Sequence, residues 1–428
     1  MRFRTLLLGC LLIGAAPGPG TGGPNNEVGE DPAQIKQLTR RIQADPRDAE
    51  AFFERGRAWA KLGDLNSALT DFGEYIRLKP DDAAGPRLRA LVWQRKGDRQ
   101  RALDDFDRAI RIAPNEAISY RLRGEMRQSG GNLDGALADL NDALRLNPDD
   151  AYALSSRAFL YLQRNELDKA IDDYDCVIGR VENKGLAYAG RALCYVRKGD
   201  FDRAMSNYDV AVKFAIGGDR PMVYEGRGKC QQHRDEHRKA IADFTLAFEA
   251  MGPDDARHRP RIYAGRAFSH WMLGEFAESL DDLNEAVRGV PNNTDYVGNR
   301  AMVHKELGHW AEAVADYSET IRLDPNSHRA FQGRAWIWAT CPDDNVRDGK
   351  RAVESATRGC ELSDWKDPAD LDILAAAYAE RGDFEAAVKW QTEALRVYGD
   401  GDDKALSQGA AERLGLYRRH QPYRETRH

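Results

Sequence analysis

Long hydrophobic runs are missing from this sequence. The apolar stretch Leu6–Ala16 falls well short of the roughly 18–20 residues needed to cross a bilayer. Cysteine is scarce, with six in 428 residues. There is no C-x-x-C pair, which excludes the usual redox and haem-attachment motifs. Without Cys10, an odd set remains at irregular spacing: Cys176, Cys194, Cys230, Cys341 and Cys360. That is no disulfide framework, and these thiols read as small buried hydrophobes. A basic excess is also absent. The net charge is −6, and the signs alternate along the chain. A nucleic-acid binder needs a cationic footprint to displace counterions, so that class is excluded.

The first residues differ from the rest. Met1-Arg2-Phe3-Arg4 is basic, Leu6–Ala16 is apolar, and Gly and Pro dominate through Pro24. This is the order of a secretion signal, so residues 1–24 read as a signal peptide with a Gly/Pro-rich linker. Export to a periplasmic or extracellular compartment is expected. Leu7-Leu8-Gly9-Cys10 resembles a lipoprotein box, and a lipid anchor at Cys10 is the alternative.

What is abundant is internal repetition. Units begin at 49, 83, 117, 151 and 185, a spacing of 34; the register then slips to 221 and 260 and resumes at 294, 328 and 368. With positions numbered within each unit, position 8 is Gly56, Ala90, Gly124, Ala158, Ala192, Gly228, Ala267, Ala301, Ala335 and Ala375. Position 20 is Ala or Ser throughout, from Ala68 to Ala387. Two small residues at fixed places let two helices approach closely. Position 24 is large, as in Phe72, Phe106, Tyr174 and Phe244. Positions 4, 8 and 11, then 20, 24 and 27, follow the period of an amphipathic helix. Position 15 is Gly, Asn or Asp in most units, residues that tolerate the left-handed end of a helix. Position 32 is often Pro, which stops the second helix.

This pattern closely resembles the tetratricopeptide repeat over residues 49–398. The resemblance implies an all-α fold, a right-handed superhelical solenoid of antiparallel helix pairs. The expected units are 49–82, 83–116, 117–150, 151–184, 185–218, 221–254, 260–293, 294–327, 328–366 and 368–398. Residues 25–48 read as an N-terminal half-repeat helix, and 402–428 as a capping helix and tail. Caps cover the terminal faces of a solenoid. The ninth unit departs from the pattern, its turn gaining residues through Arg347-Asp348-Gly349-Lys350. The connectors near 217–220 and 252–259 break the register, and a local change of curvature is expected there.

Position 7 is normally apolar in this family. Here it is Arg55, Arg89, Arg123, Arg157, Arg191, Arg227, Arg266, Arg300 and Arg334. Position 23 carries Asp71, Asp105, Asp139, Asp173, Asn207, Asp243, Asp282 and Asp316. The two series share one period and slip together. They predict an internal ion-pair ladder, with each guanidinium forked onto a carboxylate. An anion-binding stripe would not carry its own neutralising partner.

Catalytic signals are weak. His233-Arg234-Asp235-Glu236-His237 fits the zinc-peptidase string H-x-x-E-H, but it straddles the expected inter-helix turn, so the two His do not share a helical face. A zinc-dependent hydrolase is the remote alternative. Ser, His and Asp are too dispersed to suggest a triad. No cofactor, metal or catalytic residue is assigned.

The remaining signal is surface. First helices line the concave side in this architecture. Positions 2, 5, 9 and 12 there include Tyr152, Phe159, Leu162, Leu193, Val196, Phe268, Trp271, Met302 and Trp336. These are the expected partner-binding groove residues, since buried aromatics anchor interfaces. Positions 5 and 9 of the early units (Phe53, Arg87, Arg121; Arg57, Leu91, Glu125) do not form the Lys/Asn set that clamps a terminal carboxylate in some relatives. The expected function is a non-catalytic scaffold that binds a protein or peptide. The alternative is an envelope assembly or tethering component acting through its ends or convex face.

Overall fold

The structure is a computed structural model that describes residues 31–252, 257–399 and 404–425. The expected signal segment, its lipoprotein box and part of the second connector lie outside the described residues. Among the described residues every regular element is helical, with 22 α-helices and a 3-10 turn at Gly217–Asp219. None of these helices is long and apolar enough to cross a membrane.

The described residues fall into two compact blocks, divided between residues 200 and 201. The first contains α1 (Asp31–Ala44), α2 (Ala49–Leu62), α3 (Leu65–Leu78), α4 (Ala84–Arg95), α5 (Arg99–Ile112), α6 (Ala117–Ser129), α7 (Leu133–Leu146), α8 (Ala151–Gln163), α9 (Leu167–Arg180) and α10 (Gly185–Lys198). The second contains α11 (Phe201–Phe214), α12 (Arg220–His233), α13 (His237–Glu249), α14 (Arg259–Met272), α15 (Phe276–Gly289), α16 (Thr294–Glu306), α17 (Trp310–Leu323), α18 (His328–Thr340), α19 (Gly349–Leu362), α20 (Pro368–Glu380), α21 (Phe384–Tyr398) and α22 (Lys404–Arg418). Within each block a helix packs mainly on its sequence neighbours, as a one-dimensional array requires.

Local chemistry explains the boundaries. The turn between paired helices closes with a left-handed residue, such as Gly63 at φ 88° or Asn165 at φ 60°. The next residue then caps the second helix. Asp64 accepts from Ser67 N at 3.1 Å, Asp98 from Arg101 N at 3.1 Å, and Asn132 from Gly135 N at 3.0 Å. The core is built from small and large residues in alternation. Ala68, Ala102, Ala136 and Ala170 are fully buried beside Phe72, Phe106, Leu140 and Tyr174.

A second small-residue rule operates between repeats. A Cβ placed on Gly190 would stand 2.4 Å from the Tyr174 ring, and one on Gly333 2.4 Å from the Tyr317 ring. Gly226 and Gly265 meet Tyr208 and Phe244 in the same way, at 2.7 and 2.9 Å. All four glycines hold position 6 of a repeat and face position 24 of the preceding one. Where position 24 is Leu140 or Leu283, position 6 is Ser156 or Asn299. A tyrosine in one repeat therefore requires the backbone of the next to come without a side chain.

Candidate docking face

The ladder residues meet inside seven of the helix pairs. Arg55 donates from Nε and Nη2 to the two oxygens of Asp71, both at 2.8 Å. Arg89–Asp105, Arg123–Asp139, Arg157–Asp173, Arg227–Asp243, Arg266–Asp282 and Arg300–Asp316 repeat this fork at 2.6–3.0 Å. The carboxylate hydrogen bond holds the guanidinium pKa of Arg55, Arg89, Arg157, Arg227, Arg266 and Arg300 above its ordinary value, against opposition from burial. These pairs are inside, so they offer a ligand little.

The third donor of the fork reaches back one repeat. Nη1 of Arg123 bonds Asp107 at 2.6 Å, that of Arg157 bonds Asn141 at 2.8 Å, and that of Arg300 bonds Asn284 at 3.2 Å. Arg227 reaches Asp209 at 2.9 Å, and Arg191 is paired with Asp175. Arg55 finds Thr39 of α1 at 3.0 Å, so the half-repeat helix stands where a preceding second helix would. Position 25 supplies all these acceptors. The sequence analysis passed over it, although its polar run Asp107, Asn141, Asp175, Asp209 is visible in the repeat. Arg55, Arg123, Arg157, Arg227 and Arg300 thus tie a helix pair together and also tie it to the helix before; Arg191 corrects the expected ladder, because position 23 of its pair is Asn207 and its carboxylate is Asp175 of the preceding pair.

Arg334 corrects the expected ladder. It has no carboxylate among the described residues; its donors reach Ser355 Oγ at 3.4 Å and Ser318 Oγ at 3.2 Å. The physical reason is that the residue aligned with the earlier Asp, once the longer turn between α18 and α19 is allowed for, is a serine. Arg347 ties that turn to Cys341 O at 2.7 Å and to Glu380 at 3.0 Å. Ser355 then stands where earlier repeats place Asp. Burial pushes the Arg334 pKa down, with Arg351 adding to it, and the guanidinium lies 4.8 Å from the Trp338 ring centroid.

On the first helices of the N-terminal block, Tyr152 is 58% and Ile118 37% exposed. They occupy the same position in α8 and α6. Phe159, Leu193 and Val196 are half-buried. Leu162 is a correction: at 1% exposure it belongs to the core of α8 and α9. Position 12 follows core position Ala158 by four residues, on the same side of α8, and joins the cluster that includes Ala170 and, on α10, Cys194; Arg197 of α10 donates to its carbonyl at 2.6 Å. The charged residues of this face are spent within the chain. Arg87 pairs with Glu116, and Arg121 with Glu125 at 3.0 Å and Asp150 at 3.2 Å. The Arg121 guanidinium also lies 5.4 Å from the Tyr152 ring centroid. What is left open is apolar.

In the C-terminal block, Phe268 and Trp271 stack with ring centroids 6.5 Å apart, both half-buried, and Met302 is half-buried in the following first helix. Trp336 is corrected as an open groove residue. Tyr423 lies 5.8 Å from it, ring to ring, and its indole Nε1 donates to Glu425 at 3.1 Å. A segment of the same chain covers it.

The H-x-x-E-H string falls on two helices. His233 ends α12 and stacks on Phe201, ring centroids 5.0 Å apart; Asp235 turns the chain at φ 58°; His237 opens α13 with its ring edge-on to Phe268, centroids 5.9 Å apart. Burial pushes the His233 pKa down. Elsewhere His328, Asp367 and Asp370 bring ligand-type atoms within 4.8 Å of one another. Those atoms are already engaged. Asp370 takes His328 at 2.7 Å and Gln332 at 2.9 Å, and Asp367 caps α20 by accepting from Ala369 N at 2.9 Å. The five described cysteines are free thiols, buried except for half-buried Cys176. Burial pushes Cys194 and Cys360 up to about 12 and Cys230 to about 11.

Family profiles described as tetratricopeptide repeat match residues 34–83, 88–153, 127–180 and 371–399. The chain is a tetratricopeptide-repeat protein. Such repeats are protein-binding modules, and the chain is an interaction scaffold on that ground. Among solved structures it is similar to a tetratricopeptide repeat protein from Parabacteroides merdae, at 22% identity over 56% of this chain and 93% of that one, TM-score 0.48. The APC/C Cut9–Hcn1 hetero-tetramer gives 11% identity over 90% and 93%, TM-score 0.46. Yeast Tom70 gives 14% over 91% and 93%, TM-score 0.39. A search of curated proteins finds no match.

Proposed function

We propose that this tetratricopeptide-repeat protein is a non-catalytic scaffold whose first-helix faces bind a protein segment or peptide through apolar anchors. The observation that carries the reading is the exposure of Tyr152, 58%, beside Ile118, 37%, on adjacent first helices whose charged neighbours are already paired. Exposed apolar side chains set in a neutralised surface suit a partner's side chains better than a charged terminus. Phe268 and Trp271 offer a second anchor of the same kind. The basic start and short apolar run of residues 1–24 support export, with a lipid anchor at Cys10 as the other route.

A photo-crosslinking residue at 152 or at 268, used in the native compartment, tests the docking face. The expected result is a discrete crosslinked protein at each site, lost with Phe159→Ala or Trp271→Ala respectively. Crosslinks only from the convex side would overturn it. That outcome would favour tethering, for which Phe214 at the end of α11 and Ile216 on the connector before α12, 41% and 62% exposed, are apolar contacts.

A further inference from the structure

After α22 the chain reverses at His420, φ 56°, whose ring stacks on Phe384. It then runs over first helices of the C-terminal block. Glu425 N donates to Thr340 O at 2.9 Å, satisfying one of the carbonyls that the end of α18 leaves unpaired. The Glu425 carboxylate accepts from Trp336 Nε1 at 3.1 Å and pairs with Lys305 at 3.5 Å. Tyr423 lies against Trp336, and the Arg413 guanidinium stands 5.5 Å from its ring centroid. Arg413 is itself held by Asp372 at 2.9 Å. Arg424 goes another way, to Glu380 at 2.6 Å. Tyr423 and Glu425 thus meet Trp336 while Arg424 does not, the alternation of an extended chain. Lys305, Trp336, Thr340 and Glu380, the residues this segment meets, belong to three successive first helices, so the segment lies across the repeats as a bound peptide would.

We propose that residues 421–425 are a built-in competitor for this face. In trans the face takes an extended peptide that presents an aromatic ring to Trp336 and Arg413 and, two residues on, a carboxylate to Trp336 Nε1 and Lys305. The proposal rests on the docking-face reading above and names the partner chemistry and its regulation. The contacts suit reversible occupation. Lys305 and Glu425 are each about a quarter exposed, and no disulfide ties the segment down among the described residues. Removing the segment would leave an indole N–H, a lysine and a helix-end carbonyl facing the same way.

The test uses full chains and a fluorescent peptide with the sequence of residues 419–428. Wild type is compared with Tyr423→Ala/Glu425→Ala and with Glu425→Ala alone, a change at a half-buried position that spares the core. The double variant is expected to bind the peptide at least about tenfold more tightly than wild type, as for a site its own segment fills about nine-tenths of the time. The single variant is expected to fall between. Lys305→Glu in the double variant should remove the gain, and a peptide with Ala for Tyr and Glu should not bind. Equal weak binding by wild type and both variants, or undiminished binding of the Ala peptide, overturns the proposal and leaves the segment a cap only. Crosslinking at 152 would still report on the broader docking reading, because that position belongs to the other block.

Discussion

Arg157→Ala isolates the ladder's energetics. Arg157 makes three charge-assisted or polar bonds at 2.8 Å, two to Asp173 and one to Asn141. Its side chain is 22% exposed and that of Asp173 only 8%. Truncation leaves the Asp173 carboxylate buried without its fork. Breaking such a pair costs on the order of 3–5 kcal/mol, and the partial exposure of the arginine, which lets water in, sets the expectation at the lower end, about 3 kcal/mol. Replacing both partners by apolar side chains, Arg157→Met with Asp173→Leu, removes the stranded charge and should cost under about 1 kcal/mol. Repeat arrays do not unfold as one unit, so a single melting temperature would mislead. Hydrogen exchange on α8 and α9 is the better assay, where about 3 kcal/mol appears as roughly 100-fold faster opening. If the single variant exchanges within about threefold of wild type, or the double variant is as labile as the single, the fork is not what holds these helices together.

Three further expectations follow from the packing. Gly190→Ala drives a methyl into the Tyr174 ring and should destabilise by about 1–3 kcal/mol; Tyr174→Leu in the same chain should recover most of the loss, and no rescue would sink the proposed coupling between positions 24 and 6. The Asp370 hydrogen bond raises the His328 pKa above 6.5, with Asp367 adding to it and burial and Arg329 opposing. Its contribution is therefore complete below the unfolded value and fades as pH rises through the folded one, so His328→Gln should flatten the pH dependence of denaturant midpoints above about pH 6.5, and an unchanged slope would refute this. In the native chain at pH 8, mass spectrometry should find iodoacetamide first on half-buried Cys176; first labelling of Cys194, buried and pushed up to about 12, would contradict the packing.

Much of the site was legible because a repeat prints its own alignment. The small residues at positions 8 and 20, the turn residue at 15 and the sixteen-residue offset from Arg to Asp recur at one period. The position-25 acceptors and the Tyr–Gly coupling between repeats were present in the same columns, but reading one repeat at a time hides them. Leu162 shows the limit of a helical wheel. Its position reads as part of the groove, yet it is buried in a cluster shared with the neighbouring repeat's Cys194. Arg334 shows another limit: only when the longer turn after α18 is allowed for does Ser355, and not a carboxylate, stand in its partner's place.

By itself the sequence determined the helices, their pairing and the polar fork inside most pairs, because those depend on residues a few turns apart and on a pattern repeated many times. Only the tertiary structure decided which inner-face residues stay open. Tyr152 is bare, Leu162 is covered by the next helix, and Trp336 is covered by residues 89 positions later in the chain. Local periodicity fixes where a side chain points, but the backbone that arrives from elsewhere fixes what it meets.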